Sequence, residues 1–360
     1  MCEEELDIDR ITKKKKLVQC QKTVQFACLI LKRQISNQSQ IKEKCQKQQI
    51  QYQQVCTIKQ EELCCALSFY HDASLMVVSS KKLIKVFQIS NCQFQLIQTL
   101  NSHQGNVCCL KFMKKSYRFI SGGQDKQIII WSRDDKQQYF CEQQLKGHSY
   151  SITCLELNRS ENLIISGSMD DKIKFWILQD EWIQSEIFIN HEQPVQALSL
   201  SKSEQLLVSC SNNVILLNQV INQGDFQVQQ IQKIDLLFPI YRISFINNNI
   251  FVFQSSESKL QFYVKENNSL KFFSGQEIQI QPNKQCYQYS PSIYLNEKDL
   301  LFFKSGQSIN IIKNVNDKQF IVQQSIQLKA IESFIAISED SQYMGIWDQV
   351  SKEIQIRKAI

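Results

Sequence analysis

The chain has 360 residues, 43% of them hydrophobic and 21% charged, with a formal net charge of +6. That supplies a substantial apolar core, and the mild basic excess lacks the concentration that would demand a nucleic-acid or anionic-membrane partner. Neither a secretory signal nor a membrane span is expected: the opening MCEEELDIDR is acidic, and the nearest long apolar stretch, Val24 to Leu31, is far too short to cross a bilayer. The 14 cysteines follow no regular spacing, and Cys108, Cys109 and Cys154 sit inside apolar alternating runs. They read as reduced core thiols of a cytoplasmic protein, with the nucleus as the other reducing setting. Gln makes up about one residue in seven, yet it is scattered and reads as composition, not as a prion-like tract.

Residues 1 to 48 share no pattern with the rest and form an N-terminal extension whose structure the sequence leaves open. It holds a basic run, Lys13 to Lys16, which is either a solvated face or a nuclear-import or lipid-contact signal. Residues 49 to 360 form one array. An apolar-alternating strand pattern recurs at Leu67-Ser68-Phe69, Leu110-Lys111-Phe112, Leu155-Glu156-Leu157, Leu198-Ser199-Leu200, Ile243-Ser244-Phe245, Ile293-Tyr294-Leu295 and Ile335-Ala336-Ile337, in steps of 43, 45, 43, 45, 50 and 42 residues. Each copy continues through a polar turn, a second apolar run, another turn and a third strand, as in Leu163 to Ile165 and then Ile173 to Trp176. Short period-two runs of Ile, Val and Phe divided by polar turns predict antiparallel sheet throughout, and the step leaves room for four strands per repeat.

The second and third copies are the clearest. His103 to His148 is 45 residues, Trp131 to Trp176 is also 45, and each copy sets a Ser, Ser121 or Ser166, before an Asp, Asp125 or Asp170. On these motifs the chain resembles the WD-repeat β-propeller family over about residues 50 to 358. The resemblance implies an all-β, seven-bladed β-propeller of four-stranded antiparallel blades, with Ile50 to Ile58 supplying the outer strand that Glu353 to Lys358 lacks. It also implies a buried relay in which Trp131 donates to Ser121, Ser121 to His103 and His103 to Asp125, repeated by Trp176, Ser166, His148 and Asp170. The other copies depart from it: Phe87 replaces Trp in the first, Asn212-Asn213 and Leu217 stand in the fourth, and Tyr263 or Phe262 in the fifth. Trp347-Asp348 spells the dipeptide that names the family but falls in a second strand.

A Ser, His and Asp set invites comparison with a hydrolase triad, but here it recurs at repeat spacing beside Trp, so these residues are expected to be structural. Cys64-Cys65 and Cys108-Cys109 are adjacent pairs on strands, facing opposite ways, and make no zinc clamp; Gly122-Gly123 is a strand and turn pair with no helix after it, and makes no phosphate cradle. No cofactor and no metal is expected, and no enzyme activity. By resemblance, partners bind loops on the narrow face, at Asn106, Cys108 and Gln124, at Ser151, Thr153 and Met169, and at Pro194 and Gln196. That uncharged set suits a peptide or protein loop and predicts a non-catalytic interaction scaffold or adaptor within a multi-protein complex. The alternative is a nucleic-acid-associated propeller subunit that uses the N-terminal lysines.

Overall fold

The structure is a computed structural model that describes residues 50–90, 93–221, 226–255, 259–266, 269–279, 292–295, 297–317 and 319–360. The extension and its Lys13 to Lys16 run lie outside the described residues. The remainder is all strand, with no helix among the described residues, in seven four-stranded antiparallel sheets. Each sheet is a blade whose inner strand lines a central channel and whose outer strand faces solvent. The inner strands are Leu67–Phe69, Val107–Phe112, Ile152–Leu157, Val195–Leu200, Ile240–Asn247, Ile293–Leu295 and Ser333–Ile337. The seven-bladed ring that the strand spacing and the resemblance predict is present.

The ring closes as expected. Tyr52–Lys59 pairs antiparallel with Glu353–Ala359, in register from Tyr52 opposite Ala359 to Lys59 opposite Glu353. The Tyr52 hydroxyl donates to Ser341 O at 2.6 Å, and Trp347 Nε1 donates to Gln60 O at 3.2 Å. Closure gives the last blade its fourth strand and removes two sheet edges that would otherwise stay unpaired.

Burial explains the sequence patterns. Second strands such as Leu163–Ser168 and Leu206–Ser211 are buried along their whole length, because both faces pack on neighbouring blades, and they read as apolar runs. Outer strands such as Tyr139–Lys146 alternate, because one face meets solvent. The apolar core lies between blades: Leu75, Val77 and Val86 of the first blade pack with Phe119, Trp131 and Tyr139 of the second. Each such side chain contributes about 1.5–3 kcal/mol when fully buried.

Two local features differ from the sequence reading. Cys64 and Cys65 precede the inner strand Leu67–Phe69 and are not on it. The Gly122-Gly123 pair lies wholly inside the second strand Phe119–Gly123 and not partly in a turn, and it serves close approach: a Cβ at Gly122 would come within 2.6 Å of Ile152 Cγ2, as one at Gly167 of the next blade would come within 2.7 Å of Val195 Cγ1. Glycine takes the left-handed position of such a turn at Gly306, with φ 52°, but other blades place non-glycine residues there. Lys81, Lys126, Asp171 and Lys352 hold positive φ, at 53°, 70°, 66° and 53°, in the turns between second and third strands. Each costs about 1 kcal/mol.

Candidate functional site

Antiparallel pairing puts two kinds of connection at one end of every blade: the turn from second to third strand, and the crossover from an outer strand to the next inner strand. We call this the crossover face, and the opposite end, with the remaining turns, the hairpin face. Buried polar groups hold the crossover face in place.

In the second blade Trp131 Nε1 donates to Ser121 Oγ at 2.8 Å, Ser121 Oγ lies 2.7 Å from His103 Nε2, and His103 Nδ1 lies 2.8 Å from Asp125 Oδ2. Because indole can only donate, the hydroxyl hydrogen of Ser121 goes to Nε2 and the ring hydrogen to the carboxylate. The third blade repeats this with Trp176 to Ser166 at 2.9 Å, Ser166 to His148 at 2.8 Å and His148 to Asp170 at 2.8 Å. Each Asp also accepts backbone N–H groups, from Gln104 and from Ser149, both at 2.8 Å. Burial works to raise the Asp125 carboxyl, but the His103 and backbone hydrogen bonds overcome it and hold it below the ordinary range. Asp170 is lowered in the same way, by Ser149 N–H and His148 against burial. Burial lowers His148 despite Asp170 beside it, which keeps the imidazole neutral.

The worn blades solve the same problem with other residues. His191 contacts Ser209 Oγ and Ser211 Oγ, both at 2.8 Å, so a serine takes the place of the carboxylate. Without that charge, burial pushes His191 down to about 4. Strand register puts Asn218, after Leu217, at the Trp position of this blade, and Tyr263 at that of the fifth. Tyr263 stacks on Phe251 at 5.3 Å much as Trp131 stacks on Phe119 at 5.7 Å. In the first blade Gln60 reaches in from the crossover, donating to Ser80 Oγ at 3.0 Å and accepting from Lys85 Nζ at 2.7 Å. In the last, Asp348 accepts the N–H groups of Lys329 and Ala330 at 3.1 and 3.0 Å through Oδ2, and those of Val350 and Ser351 at 3.0 and 3.1 Å through Oδ1. The misplaced dipeptide thus carries a staple of its own.

A second device runs around the rim. Gln98 donates to Tyr139 O at 2.8 Å and accepts from Tyr139 N at 2.7 Å. Gln143 binds Trp182 at 2.9 and 3.0 Å in the same way, Gln232 binds Phe272 at 3.0 and 2.9 Å, and Gln276 binds Phe320 at 3.4 and 3.1 Å. In each case an outer-strand amide clamps the first residue of the next blade's outer strand, a buried aromatic. A side-chain amide carries a donor and an acceptor on separate atoms, which matches the C=O and N–H of one backbone residue, so part of the scattered Gln content has a structural use.

The expected contact residues do not behave alike. Register shifts between Val107 and Cys109, Ile152 and Cys154, and Val195 and Ala197 make Cys108, Thr153 and Gln196 the extra residues of inner-strand bulges. They line a channel of about 450 Å³ bounded by all seven inner strands. Thr153 is a correction to the exposed set: it is 4% exposed, and its hydroxyl donates to Val195 O at 2.7 Å, tying the third blade to the fourth. Asn106, Ser151, Pro194 and Gln196 are half-buried on the crossover side, while Gln124 and Met169 are exposed. Sequence reasoning passed over Tyr150, 61% exposed with Lys126 Nζ 5.5 Å above its ring, and Leu237, 91% exposed. Their signal was large apolar residues lying in crossovers and outside every strand.

Little supports chemistry at these residues. Ser121 and Ser166 are fully buried and already accept an indole N–H, so neither hydroxyl can meet a substrate in this arrangement. Burial pushes the Cys108 and Cys154 thiols up to about 12, which keeps them protonated. Among the described residues no group of three or more His, Cys, Asp or Glu is placed to hold a metal ion, and no helix is long and apolar enough to cross a membrane.

The WD40 family, described as WD domain, G-beta repeat, matches residues 94–132, 139–176 and 182–217. Each match starts in or at an outer strand and ends in the third strand of the following blade. Of curated proteins, the chain is 35% identical over 74 residues to the intraflagellar transport protein 122 homolog of Danio rerio, covering 21% of this chain and 6% of that protein. It is 33% identical over 66 residues to the homolog of Xenopus tropicalis, covering 18% of this chain and 5% of that protein. The matched stretches are thus a small part of both relatives.

Proposed function

We propose that this chain, a seven-bladed β-propeller built on WD repeats, is a non-catalytic scaffold that holds a partner protein on its crossover face. WD40 propellers are typically protein-interaction folds, and one observation supports that role here. An exposed, largely uncharged set stands on the crossover side: Gln124, Met169 and Tyr150 on loops that the buried relays of the second and third blades fix in place, and Leu237 on a loop held by Asn213 at both backbone groups of Leu236. Rigid loops lose little entropy when a partner binds, and exposed apolar side chains gain from being covered. The relatives' name assigns them to intraflagellar transport. A multi-protein assembly is the setting we propose for this chain too, in the reducing cytosol or nucleus that its protonated thiols suit.

The test replaces Asn106, Ser151 and Met169 together by Ala. Affinity purification from the native cell then compares co-purifying proteins between wild type and a variant with unchanged near-UV circular dichroism. Loss of a partner from the folded variant supports the assignment, and an unchanged partner list refutes it. Nucleic-acid binding is not favoured, because the described crossover face interleaves Lys81, Lys126 and Lys352 with Glu61, Glu62, Asp171 and Glu192, and Lys81 already pairs with Glu62 at 2.6 Å.

A further inference from the structure

We infer that a groove on the hairpin face, between the first and second blades, is a second docking site, which takes an extended partner peptide carrying a carboxylate beside an apolar residue. The groove has a volume of about 740 Å³, and its walls include Leu75 and Gln88 of the first blade and Tyr117, Arg118, Arg133 and Phe140 of the second. That size falls in the range of sites for small ligands and short segments. It lies at the opposite end of the blades from the crossover face, so it stands independently of the function proposed above.

Two features separate it from an ordinary rim crevice. The first is apolar: Tyr117 and Phe140 are 45% and 47% exposed and line the same groove. Tyr117 is also fixed in place, stacked on Tyr70 at 4.6 Å. Rigid rings offer contact area at low entropic cost.

The second is polar. Arg118 is paired with a carboxylate, its Nη2 donating to Glu142 at 2.7 Å and its Nε to Ser132 at 2.9 Å. Arg133 has no carboxylate partner among the described residues. Its guanidinium lies 5.1 Å over the Tyr117 ring and 5.7 Å over the Tyr139 ring, while Nε donates to Gln137 O at 3.0 Å and Nη2 to Gln137 Oε1 at 3.1 Å. Those bonds set its plane and leave the remaining N–H donors without an acceptor among the described residues. Asp134, next to it in sequence, also lines the groove, and its Oδ1 accepts the Gln138 N–H at 2.7 Å within its own turn. The buried hydroxyl of Tyr139, whose ring lies under the guanidinium, has no hydrogen-bond partner among the described residues.

A pre-oriented guanidinium whose outer N–H groups are unspent matches a planar carboxylate. A phosphate or a nucleic-acid backbone calls for a cluster of cations, and Glu142 neutralises the other arginine of this groove. Aromatic walls beside the open N–H donors of Arg133 therefore suit a carboxylate with a flat apolar neighbour such as Pro or Leu.

The probes are fluorescein-labelled pentapeptides, Pro-Leu-Glu-Pro-Leu and its permutations, each with a counterpart in which Gln replaces Glu. They are titrated against the full chain by fluorescence anisotropy, with sedimentation velocity on the unliganded protein. The expected result is saturable binding of at least one Glu peptide, about tenfold or more weaker for its Gln counterpart and for the Arg133→Met protein, and weaker again in high salt. Tyr117→Ser, which leaves the cation in place, is expected to weaken the same peptide, and it keeps the test open if Arg133→Met does not fold. The inference is overturned if no Glu peptide binds, if Glu and Gln peptides bind alike, or if folded Arg133→Met binds as wild type does. It is also overturned if the protein self-associates through this groove, with Arg133→Met restoring the monomer, since the occupant is then a second copy of the chain.

Discussion

Replacing Gln143 by Leu tests whether the rim clamp carries stability. The amide holds both backbone groups of Trp182, accepting from N at 3.0 Å and donating to O at 2.9 Å, across the seam between the second and third blades. Leu keeps the bulk and removes both bonds. At about 1 kcal/mol net per hydrogen bond the expected loss is about 2 kcal/mol, rising towards 3 kcal/mol if the Trp182 groups stay dry behind the new side chain. In a chain of repeats the loss falls on one blade-to-blade interface and is felt by the whole array. Urea unfolding followed by tryptophan fluorescence reads it, because Trp131, Trp176 and Trp182 all belong to these two blades. The control is Gln144→Leu, the exposed neighbour, expected within about 0.5 kcal/mol of wild type. A loss below about 0.5 kcal/mol for Gln143→Leu, or an equal loss in the control, refutes the reasoning. Among the clamp positions, Glu186 stands two residues beyond the partner of Trp176, where Gln143 stands two beyond the partner of Trp131. A carboxylate there cannot donate to a carbonyl, so Glu186→Gln is the stabilising counterpart at the next seam.

Two further outcomes are expected. His191 is held down to about 4 by burial, so in mild acid the unfolded chain takes up a proton that the folded chain refuses. Its contribution to stability is therefore intact above about pH 6.5 and is lost as pH falls from there towards 4, by on the order of 3 kcal/mol. Urea midpoints across that interval should fall less steeply in His191→Gln, and identical slopes would contradict the assignment. Asp348→Ala leaves four backbone N–H groups without their carboxylate and should cost about 2–4 kcal/mol, loosening the end of the ring where Gln60 and Trp347 meet. Amide hydrogen exchange faster at Lys329 and Ala330 than at Gln124, in the second blade, would show the loss to be local.

How far the sequence reveals this molecule depends on which physical demand a residue meets. The strand pattern was legible because burial alone sets it, and it holds in blades that have lost every motif residue, as in Leu300–Ser305, an apolar run buried along its whole length. The relays of the second and third blades were legible because Trp, Ser, His and Asp do the job with fixed spacing. The same task in other blades was not, because any buried group with the right donors and acceptors can tie a crossover down. Gln60 does it seven residues ahead of its inner strand, where His103 stands four ahead of its own, so no spacing rule connects them. The rim clamp was hidden for another reason. A Gln that pairs with an aromatic some forty residues later looks like any other Gln in a chain this rich in them, and only the pairing of adjacent blades brings Gln98 to Tyr139 or Gln232 to Phe272. The candidate face was the least legible part, because exposure depends on local geometry that residue type does not encode. Cys108, Thr153 and Gln196 all sit at inner-strand bulges, yet Thr153 is spent on Val195 O, while Leu237, with no motif to mark it, stands almost wholly in solvent. Motif positions therefore locate the face of the ring, and the side chains available for contact there must be read from the loops beside them.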